Sequence, residues 1–177
     1  MDVMRRHSRE PEELVRGSFA EFYRNEWRDV VGLAFVLTGD RWVAEELAQE
    51  GFAAACAAWD RVGGMDKPGA WVRRVVVNKS VSRLRRRGVE RRALARMASS
   101  DGSPSVGVDD RSAEVWAEVR LLPKRQGQVI ALVYFDGMTI AEAGQVIGCS
   151  RETARTHLKR GKRALASRLG TVDHADS

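Results

Sequence analysis

The stretch SRETARTHLKRGKRAL, Ser150–Leu165, combines hydrogen-bonding groups and positive charge with a narrow apolar stripe. In a helix, four small or apolar residues spaced by three or four positions share one face: Ala154, Leu158, Gly161 and Leu165. The opposite side and its edges then carry Arg151, Glu152, Arg155, Thr156, Lys159, Arg160 and Arg163. Guanidinium, ammonium and hydroxyl groups arranged in this way can bind the phosphates and base edges of DNA. A solvated cationic face without a ligand is the alternative.

The preceding residues favour the DNA interpretation. Thr139 and Glu142 have the spacing of a capping box, and an apolar stripe begins there: Ile140, Ala143, Gly144 and Ile147. Gly148 suits the left-handed position that ends a helix, and Ser150 can cap the next one. Two short amphipathic helices joined around a glycine form a helix-turn-helix, whose second helix normally enters the major groove. An αα-hairpin used only for packing is the less favoured alternative.

A second basic segment begins at Trp71 and places unlike side chains on one helical face. Trp71, Arg74, Asn78 and Val81 recur every three or four residues, whereas Val72, Val75 and Val76 are predicted to point elsewhere. Beside a glycine-containing loop, such a face can bind a single strand. The aromatic ring can stack on an unpaired base, the guanidinium can neutralise a phosphate and the carboxamide can hydrogen-bond a base edge. However, a Trp in a helical bundle is usually core, and a Val-rich segment can form a strand. These alternatives stay open on the residues alone.

Charge is segregated along the chain. The net charge is +6, but residues 71–97 contain ten Lys or Arg against one Glu, and residues 150–169 contain seven against one. These two segments sum to +15, so the remainder of the chain stands at −9. This pattern predicts two basic surfaces facing a polyanion and an acidic surface suited to a basic protein partner.

The cysteines and the apolar runs limit the class of protein. Cys56 and Cys149 lie far from each other and from any His at ligand spacing, which argues against a disulfide framework, a metal site or a cofactor held by such ligands. No run is long and apolar enough for membrane insertion, and the N-terminus lacks the apolar segment of a secretion signal. We therefore expect a cytoplasmic protein in a reducing compartment.

The periodicity predicts an all-α chain of two small helical domains. A first long helix covers Phe19–Leu37, Asp40 caps a second helix that runs to about Trp59, and Pro68 begins a third. We place the domains at residues 12–97 and 113–170, joined by a flexible linker at 98–112 that is rich in Ser, Gly, Pro and Asp. The N-terminal domain is predicted to be a three- to four-helix bundle, and the C-terminal domain to contain the helix-turn-helix.

Three blocks of the chain together resemble the extracytoplasmic-function type of sigma-70 RNA polymerase sigma factor, in its SigE-like subgroup. The block LTGDRWVAEELAQEGFAAACAAWDRV is similar to the core-binding segment of the family, and KPGAWVRRVVVNKSVSRLRRR to the segment that melts and reads the downstream promoter element. The block from Leu121 to Leu165 is similar to the domain that reads the upstream element. The resemblance implies core RNA polymerase and promoter DNA as partners, with an anti-sigma factor as a further partner. It implies no cofactor, no small-molecule substrate and no catalysis.

The resemblance also implies roles at matching positions. The residues implied to bind core polymerase are Glu45, Glu46, Gln49 and Glu50. Those implied to contact the downstream element are Trp71, Arg74, Asn78 and Lys79, with the loop Val62–Lys67 contributing to specificity. Those implied to contact the upstream element are Arg151, Glu152, Arg155, Thr156, Lys159 and Arg160. Glu152, Ala154 and His157 depart from the usual pattern, so the promoter sequence stays unassigned. The short tail after the last helix leads us to expect no C-terminal sensory domain.

Two other classes compete with a sigma factor. A stand-alone helix-turn-helix regulator would use its N-terminal helices to dimerise or to sense a ligand, but an acidic helix beside a basic face speaks against it. An enzyme lacks support, because His7, His157 and His174 lie in one tail, in the predicted DNA-reading helix and in the other tail. No nucleophile, base or metal ligand stands at a useful spacing from them.

Overall fold

The computed structural model describes residues 10–80 and 110–170, and within these ranges it contains helices and turns without a strand. The N-terminal bundle consists of α1 (Glu10–Thr38), α2 (Arg41–Ala57), α3 (Trp59–Val62) and α4 (residues 68–80). The C-terminal bundle consists of α5 (Asp110–Arg120), α6 (Lys124–Ile130), a π-helical turn (Ala131–Phe135), α7 (Ile140–Ile147) and α8 (Arg151–Arg168). The all-α prediction is confirmed. Val81 and residues 98–109 of the predicted linker lie outside the described residues, and the domain boundaries stay predictions.

The N-terminal bundle is organised by a tight connection between α1 and α2. Gly39 has a φ of +70°, a left-handed conformation that glycine adopts without strain. The Asp40 side chain then accepts a 3.0 Å hydrogen bond from the Val43 amide and so caps α2, as predicted. The helix ends at Ala57 rather than at Trp59, which begins α3. Trp59 packs edge-on against Phe19, with ring centroids 5.1 Å apart, and closes the bundle.

The predicted helix-turn-helix is present in the C-terminal bundle. Thr139 and Glu142 form a capping box at the start of α7, and Gly148 ends the helix with a φ of +74°. Ser150 caps α8 by accepting a 3.1 Å hydrogen bond from the Thr153 amide. A Cβ on Gly161 would lie 2.7 Å from the Ile130 side chain, so the absence of a side chain there lets α8 approach α6 closely.

One apolar cluster joins the two bundles. Leu33, Val36 and Leu37 of α1, and Val77 of α4, are buried in the same cluster as the core residues of α6, α7 and α8. Helix α4 therefore buries two stripes, since Val72 and Val76 face the N-terminal core while Val77 faces the C-terminal bundle. Val75, which the sequence groups with Val72 and Val76, is half-buried.

Candidate nucleic-acid interfaces

The exposed face of α8 is fixed by the buried stripe on its other side. Ala154, Leu158 and Gly161 are buried, as the spacing predicts, and Leu165 is half-buried. All six residues assigned to the upstream element are exposed: Arg151, Glu152, Arg155, Thr156, Lys159 and Arg160. The Thr156 hydroxyl donates a 3.1 Å hydrogen bond to the carbonyl of Glu152, so its remaining capacity is that of an acceptor.

Four cationic side chains of α8 surround a shallow depression of about 340 Å³. Arg155, Lys159, Lys162 and Arg163 line it, and Leu158 forms its floor. Clustered positive charge of this kind binds the DNA backbone, and both the affinity and its salt dependence increase with the number of phosphates that are neutralised. Lys162 was not among the predicted site residues, although its spacing of three from Lys159 is the sequence signal that places both on one face.

The downstream-element residues of α4 divide into exposed and half-buried positions. Arg74, Asn78 and Lys79 are exposed, whereas Trp71 is half-buried and packs against the N-terminal core. Trp71 therefore serves partly as a core residue, which was the alternative left open by the sequence. Lys79 forms a 2.6 Å ion pair with Glu50 of α2. This contact connects two surfaces that the sequence assigned to different partners.

A cavity of about 320 Å³ lies between the two bundles beside this face. Trp71 and Arg74 line it together with Met65 and Lys67 of the preceding loop. Residues of the C-terminal bundle form the opposite wall: Met138, Glu142, Gln145 and Val146. The structure thus brings two of the four predicted downstream-element residues to one cavity, while Asn78 and Lys79 do not line it.

A salt bridge crosses this cavity between Lys67 and Glu142. The hydrogen bond from Lys67, together with those from the side chain and amide of Thr139, lowers the pKa of Glu142 to about 2 from an ordinary value of 4.5. Because the folded protein favours the ionised carboxylate, this contribution to stability is present above pH 4.5. It is lost as the pH falls through about 2.

We expect a ¹³C NMR titration of the Glu142 side chain to give a midpoint near pH 2. In Lys67→Met the pKa should rise, without reaching the ordinary 4.5, because the Thr139 hydrogen bonds remain. Lys124→Met is the control. Lys124 is exposed and is not one of the donors to Glu142 named above, so this variant should leave the midpoint unchanged. A midpoint near 4.5 in the parent protein would show that neither partner holds the carboxylate in solution.

The acidic residues of α2 lie on its solvent side. Glu46 and Gln49 are exposed, while Glu45 and Glu50 are half-buried and paired with Arg41 (2.9 Å) and Lys79 (2.6 Å). All four predicted core-polymerase residues thus lie away from the bundle core. Trp42, one turn before Glu46, is 81% exposed and was not predicted as a site residue. Trp42 lies two residues after the N-cap Asp40, and nothing in the local sequence predicts that its side chain faces solvent.

Sequence reasoning also missed a buried ion-pair network around Arg73. Its Nε donates to both carboxylate oxygens of Asp136, at 2.9 and 2.6 Å, and one terminal nitrogen donates to Glu26. Burial acts to lower the pKa of Arg73, but Glu26 and Asp136 outweigh it, so the pKa is raised and the guanidinium stays charged. Burial also raises the pKa of Asp136, and Arg73 counters this only in part. Arg73, Val77 and Ser80 share one buried stripe of α4 in the structure, but only one of the three is apolar, so the periodicity of the sequence gave no signal for it.

The described residues contain neither a candidate metal site nor a candidate membrane-spanning helix. In residues 10–80 and 110–170, no three His, Cys, Asp or Glu side chains are grouped so that they could hold a metal ion. Among the helices of those same ranges, none has the length and apolar character needed to span a bilayer.

Family models and curated relatives both match this chain. Residues 22–90 match the family model of sigma-70 region 2, and residues 112–165 match that of sigma-70 region 4. The ECF RNA polymerase sigma factor SigF of Caulobacter vibrioides is 30% identical over 136 residues, covering 73% of this chain and 72% of SigF. SigW of Bacillus subtilis is 24% identical over 151 residues, covering 77% of this chain and 81% of SigW.

Solved structures show the same fold. The sigma factor RpoE of Bartonella quintana, solved with the anti-sigma factor NepR, matches with a TM-score of 0.68 at 21% identity, over 88% of this chain and 98% of RpoE. CnrH, solved with the cytosolic domain of CnrY, matches with a TM-score of 0.63 at 22% identity, over 90% of this chain and 97% of CnrH.

The chain belongs to the extracytoplasmic-function (ECF) family of sigma-70 RNA polymerase sigma factors. It is a transcription initiation factor whose partners are core RNA polymerase and promoter DNA. Because region 2 and region 4 both match, the alternative of a stand-alone helix-turn-helix regulator is not favoured. Proteins of this family are not themselves enzymes. The SigE-like subgroup stays a prediction.

Proposed function

We propose that the chain initiates promoter-specific transcription through three separate surfaces, each with its own partner. The acidic side of α2 docks on core polymerase, the exposed face of α4 captures an unpaired strand, and the exposed face of α8 reads the duplex. No residue has a catalytic role in this scheme, and the chain acts in the cytoplasm together with the polymerase. The cationic face of α8, held outward by its buried stripe, is the observation that carries the proposal.

Docking through α2 uses Glu45, Glu46, Gln49 and Glu50. These side chains lie on the solvent side of a helix whose other side is packed into the bundle, so a partner helix can approach them without any change in the fold. The negative charge of the three glutamates suits a basic helical coiled coil such as the one that the family binds on the largest polymerase subunit. Complementary charge of this kind steers the encounter and fixes its register.

Capture of the melted strand uses Trp71, Arg74, Asn78 and Lys79. Arg74 and Asn78 are exposed one turn apart on α4, where a guanidinium can contact a phosphate or stack on a base and an amide can hydrogen-bond its edge. Trp71 supplies an aromatic surface whose other side is anchored in the core. Unstacking a base costs a few kcal/mol, and stacking and hydrogen bonds in such a site offset this cost.

An anti-sigma factor is proposed as a further partner. RpoE and CnrH share the fold of this chain, and RpoE was solved with an anti-sigma factor while CnrH was solved with the cytosolic domain of CnrY. Co-purification of the chain with core polymerase, and the appearance of a holoenzyme peak on gel filtration, tests the overall proposal. A chain that elutes separately from core polymerase would contradict it.

Duplex reading by α8 predicts two different effects of alanine substitution. We expect Arg155→Ala to cost about 1 to 3 kcal/mol of binding free energy and to relax the preference at one base pair. Lys159→Ala should instead weaken binding to all sequences and reduce the salt dependence, because a lysine bound to phosphate carries no sequence information. Binding-site selection followed by titration at several salt concentrations measures both. Equal weakening of all sequences by Arg155→Ala would rule out base reading by Arg155.

A further inference from the structure

Trp42 of α2 is the most exposed large apolar side chain among the described residues, at 81%. The other four tryptophans of the chain are packed into apolar clusters. Trp27, Trp59 and Trp71 belong to the N-terminal core, and Trp116 belongs to the cluster that joins the bundles. Burying an indole is favourable in proportion to its apolar area. The packing of the described residues makes no such use of Trp42.

The indole ring lies in line with the proposed docking residues of α2. Glu45, Glu46 and Gln49 follow Trp42 by three, four and seven positions, so all four side chains share one face of the helix. We call these four residues the docking face. The opposite side of α2 carries Leu47, which is buried in the N-terminal core. A partner that approaches the acidic residues from solvent therefore also meets Trp42.

Beyond Gln49 the same side of α2 carries no large side chain. Ala53, Cys56 and Ala57 are exposed there. The distance along the helix from Trp42 to Ala57 is about 22 Å, at a rise of about 1.5 Å per residue. The axes of packed helices lie about 8 to 10 Å apart, depending on the side chains at the contact. A partner helix can thus lie along this side of α2, with the indole beside it at one end.

The charges around the ring indicate which side chain of the partner it takes. Glu46 is exposed one turn after Trp42, and Glu45 is held in place by a 2.9 Å ion pair with Arg41. The face of an indole attracts cations, and neighbouring carboxylates strengthen this preference. A guanidinium can stack flat on the ring while its N–H groups donate to a carboxylate, whereas an ammonium group lacks this planar fork. The site therefore fits an arginine of a basic helix.

We propose that Trp42 is the aromatic anchor of the surface that docks on core polymerase, and that an arginine of the polymerase stacks on its ring while pairing with Glu46. This inference rests on the proposed docking through α2. It adds a residue that supplies buried contact area, where the glutamates supply charge. Tryptophan is among the residues whose truncation costs most at protein interfaces.

The backbone that carries Trp42 is already fixed in the free chain. Asp40 caps α2 through a 3.0 Å hydrogen bond from the Val43 amide, and the ion pair between Arg41 and Glu45 spans the first turn. Docking then has to order only the two side-chain torsions of the indole. Large and rigid side chains of this kind bury much area at a low cost in conformational entropy.

Three substitutions of Trp42 separate the ring from its apolar bulk. Trp42→Ala removes the whole side chain from an exposed position and inserts a strong helix former, so the fold should survive. Trp42→Leu keeps an apolar side chain but offers no ring face to a guanidinium, whereas Trp42→Phe keeps a ring face. Tyr134→Ala is the matched control, because it removes an exposed aromatic ring of the C-terminal bundle that belongs to none of the three proposed surfaces.

Titration of fluorescently labelled core polymerase with each full-length variant measures the effect. Trp42→Ala should raise the Kd on the order of thirtyfold. Trp42→Leu should raise it about tenfold and Trp42→Phe about threefold, since a phenyl ring binds cations less well than an indole. Tyr134→Ala should bind as the parent does. A parent-like Kd for Trp42→Ala would overturn the anchor, and a parent-like Kd for Trp42→Leu would overturn the stacked arginine.

Glu46→Lys, measured in the same titration, separates this inference from the proposed docking itself. If Glu46→Lys loses affinity and Trp42→Ala does not, docking through α2 stands and the anchor is wrong. Normal binding by both variants places the docking surface elsewhere and overturns both.

Two other occupants of the ring are tested on the free chain. A dimer in sedimentation velocity that Trp42→Ala dissociates would assign the ring to a second copy of the chain. A lower midpoint of thermal unfolding in Trp42→Ala, with unchanged affinity for core polymerase, would assign it to another segment of the same chain. Either result overturns the proposal, whereas a monomer with an unchanged midpoint and a weaker Kd supports it.

Discussion

Replacing both Glu46 and Glu50 by Lys is expected to abolish stable assembly with core polymerase. Placing like charges opposite each other at an interface costs several kcal/mol, so a loss of about 3 kcal/mol corresponds to a Kd roughly a hundredfold weaker. Both carboxylates lie on the solvent side of α2, whose buried side carries Leu47 and Phe52, so the helix should stay folded. Titration of fluorescently labelled core polymerase with the variant measures the effect, and circular dichroism checks the fold.

Because Glu50 forms an ion pair with Lys79, the single variant Glu46→Lys is needed as well as the double variant. A lysine at position 50 repels Lys79 of α4 and disturbs a contact within the N-terminal bundle. Glu46→Lys alone keeps the ion pair between Glu50 and Lys79, and it should account for a substantial share of the loss. Glu114→Lys makes the same charge change at an exposed position of α5 and should bind core polymerase as the parent does. Normal assembly of Glu46→Lys and of the double variant would place the docking surface elsewhere.

The helix-turn-helix could be predicted from the sequence because its determinants are local. The capping box of Thr139 and Glu142, the left-handed Gly148 and the cap at Ser150 all act within three or four residues. The stripe of Ala154, Leu158 and Gly161 follows from helical periodicity alone and fixes which side of α8 is exposed. Short-range signals of this kind also located Asp40 as the cap of α2.

The contacts between the bundles could not be predicted, because they join residues far apart in the chain. Arg73 and Asp136 are 63 residues apart, and Gln128 and Val77 are 51 apart. In the sequence Arg73 was one cation among ten in a basic segment, and nothing local distinguishes it from the exposed Arg74 beside it. The same limit explains why the burial of Val77 was not predicted, since this second stripe of α4 is buried by the C-terminal bundle.

Trp71 shows how one residue can satisfy two interpretations that the sequence presented as alternatives. One side of its ring packs against the N-terminal core, and the residue also lines the cavity between the bundles. A side chain anchored in this way loses little conformational entropy when a base stacks on it. Substituting Trp71 would therefore disturb the core as well as any DNA contact, so the strand-capture proposal is better tested at its exposed neighbours.

The double substitution of Arg74 and Asn78 by Ala is expected to block promoter opening while leaving duplex recognition intact. Both side chains are exposed, so their removal leaves no cavity and the fold should survive. Loss of a charged contact and of an amide hydrogen bond to the unpaired strand should cost about 2 to 4 kcal/mol in the open complex. Permanganate footprinting of unpaired thymines, on a promoter obtained by selection, measures this opening directly.

Comparing a duplex promoter with one that carries a pre-melted bubble separates melting from capture. If Arg74 and Asn78 hold an unpaired base, the variant should open duplex poorly and should lose base preference at one position of the bubble, because binding energy for the captured strand is missing in both cases. Arg24→Ala with Asn25→Ala removes the same two groups from exposed positions of α1 and should behave as the parent. Full opening by the Arg74 and Asn78 variant would instead assign strand capture to the loop Val62–Lys67, the remaining predicted contributor beside α4.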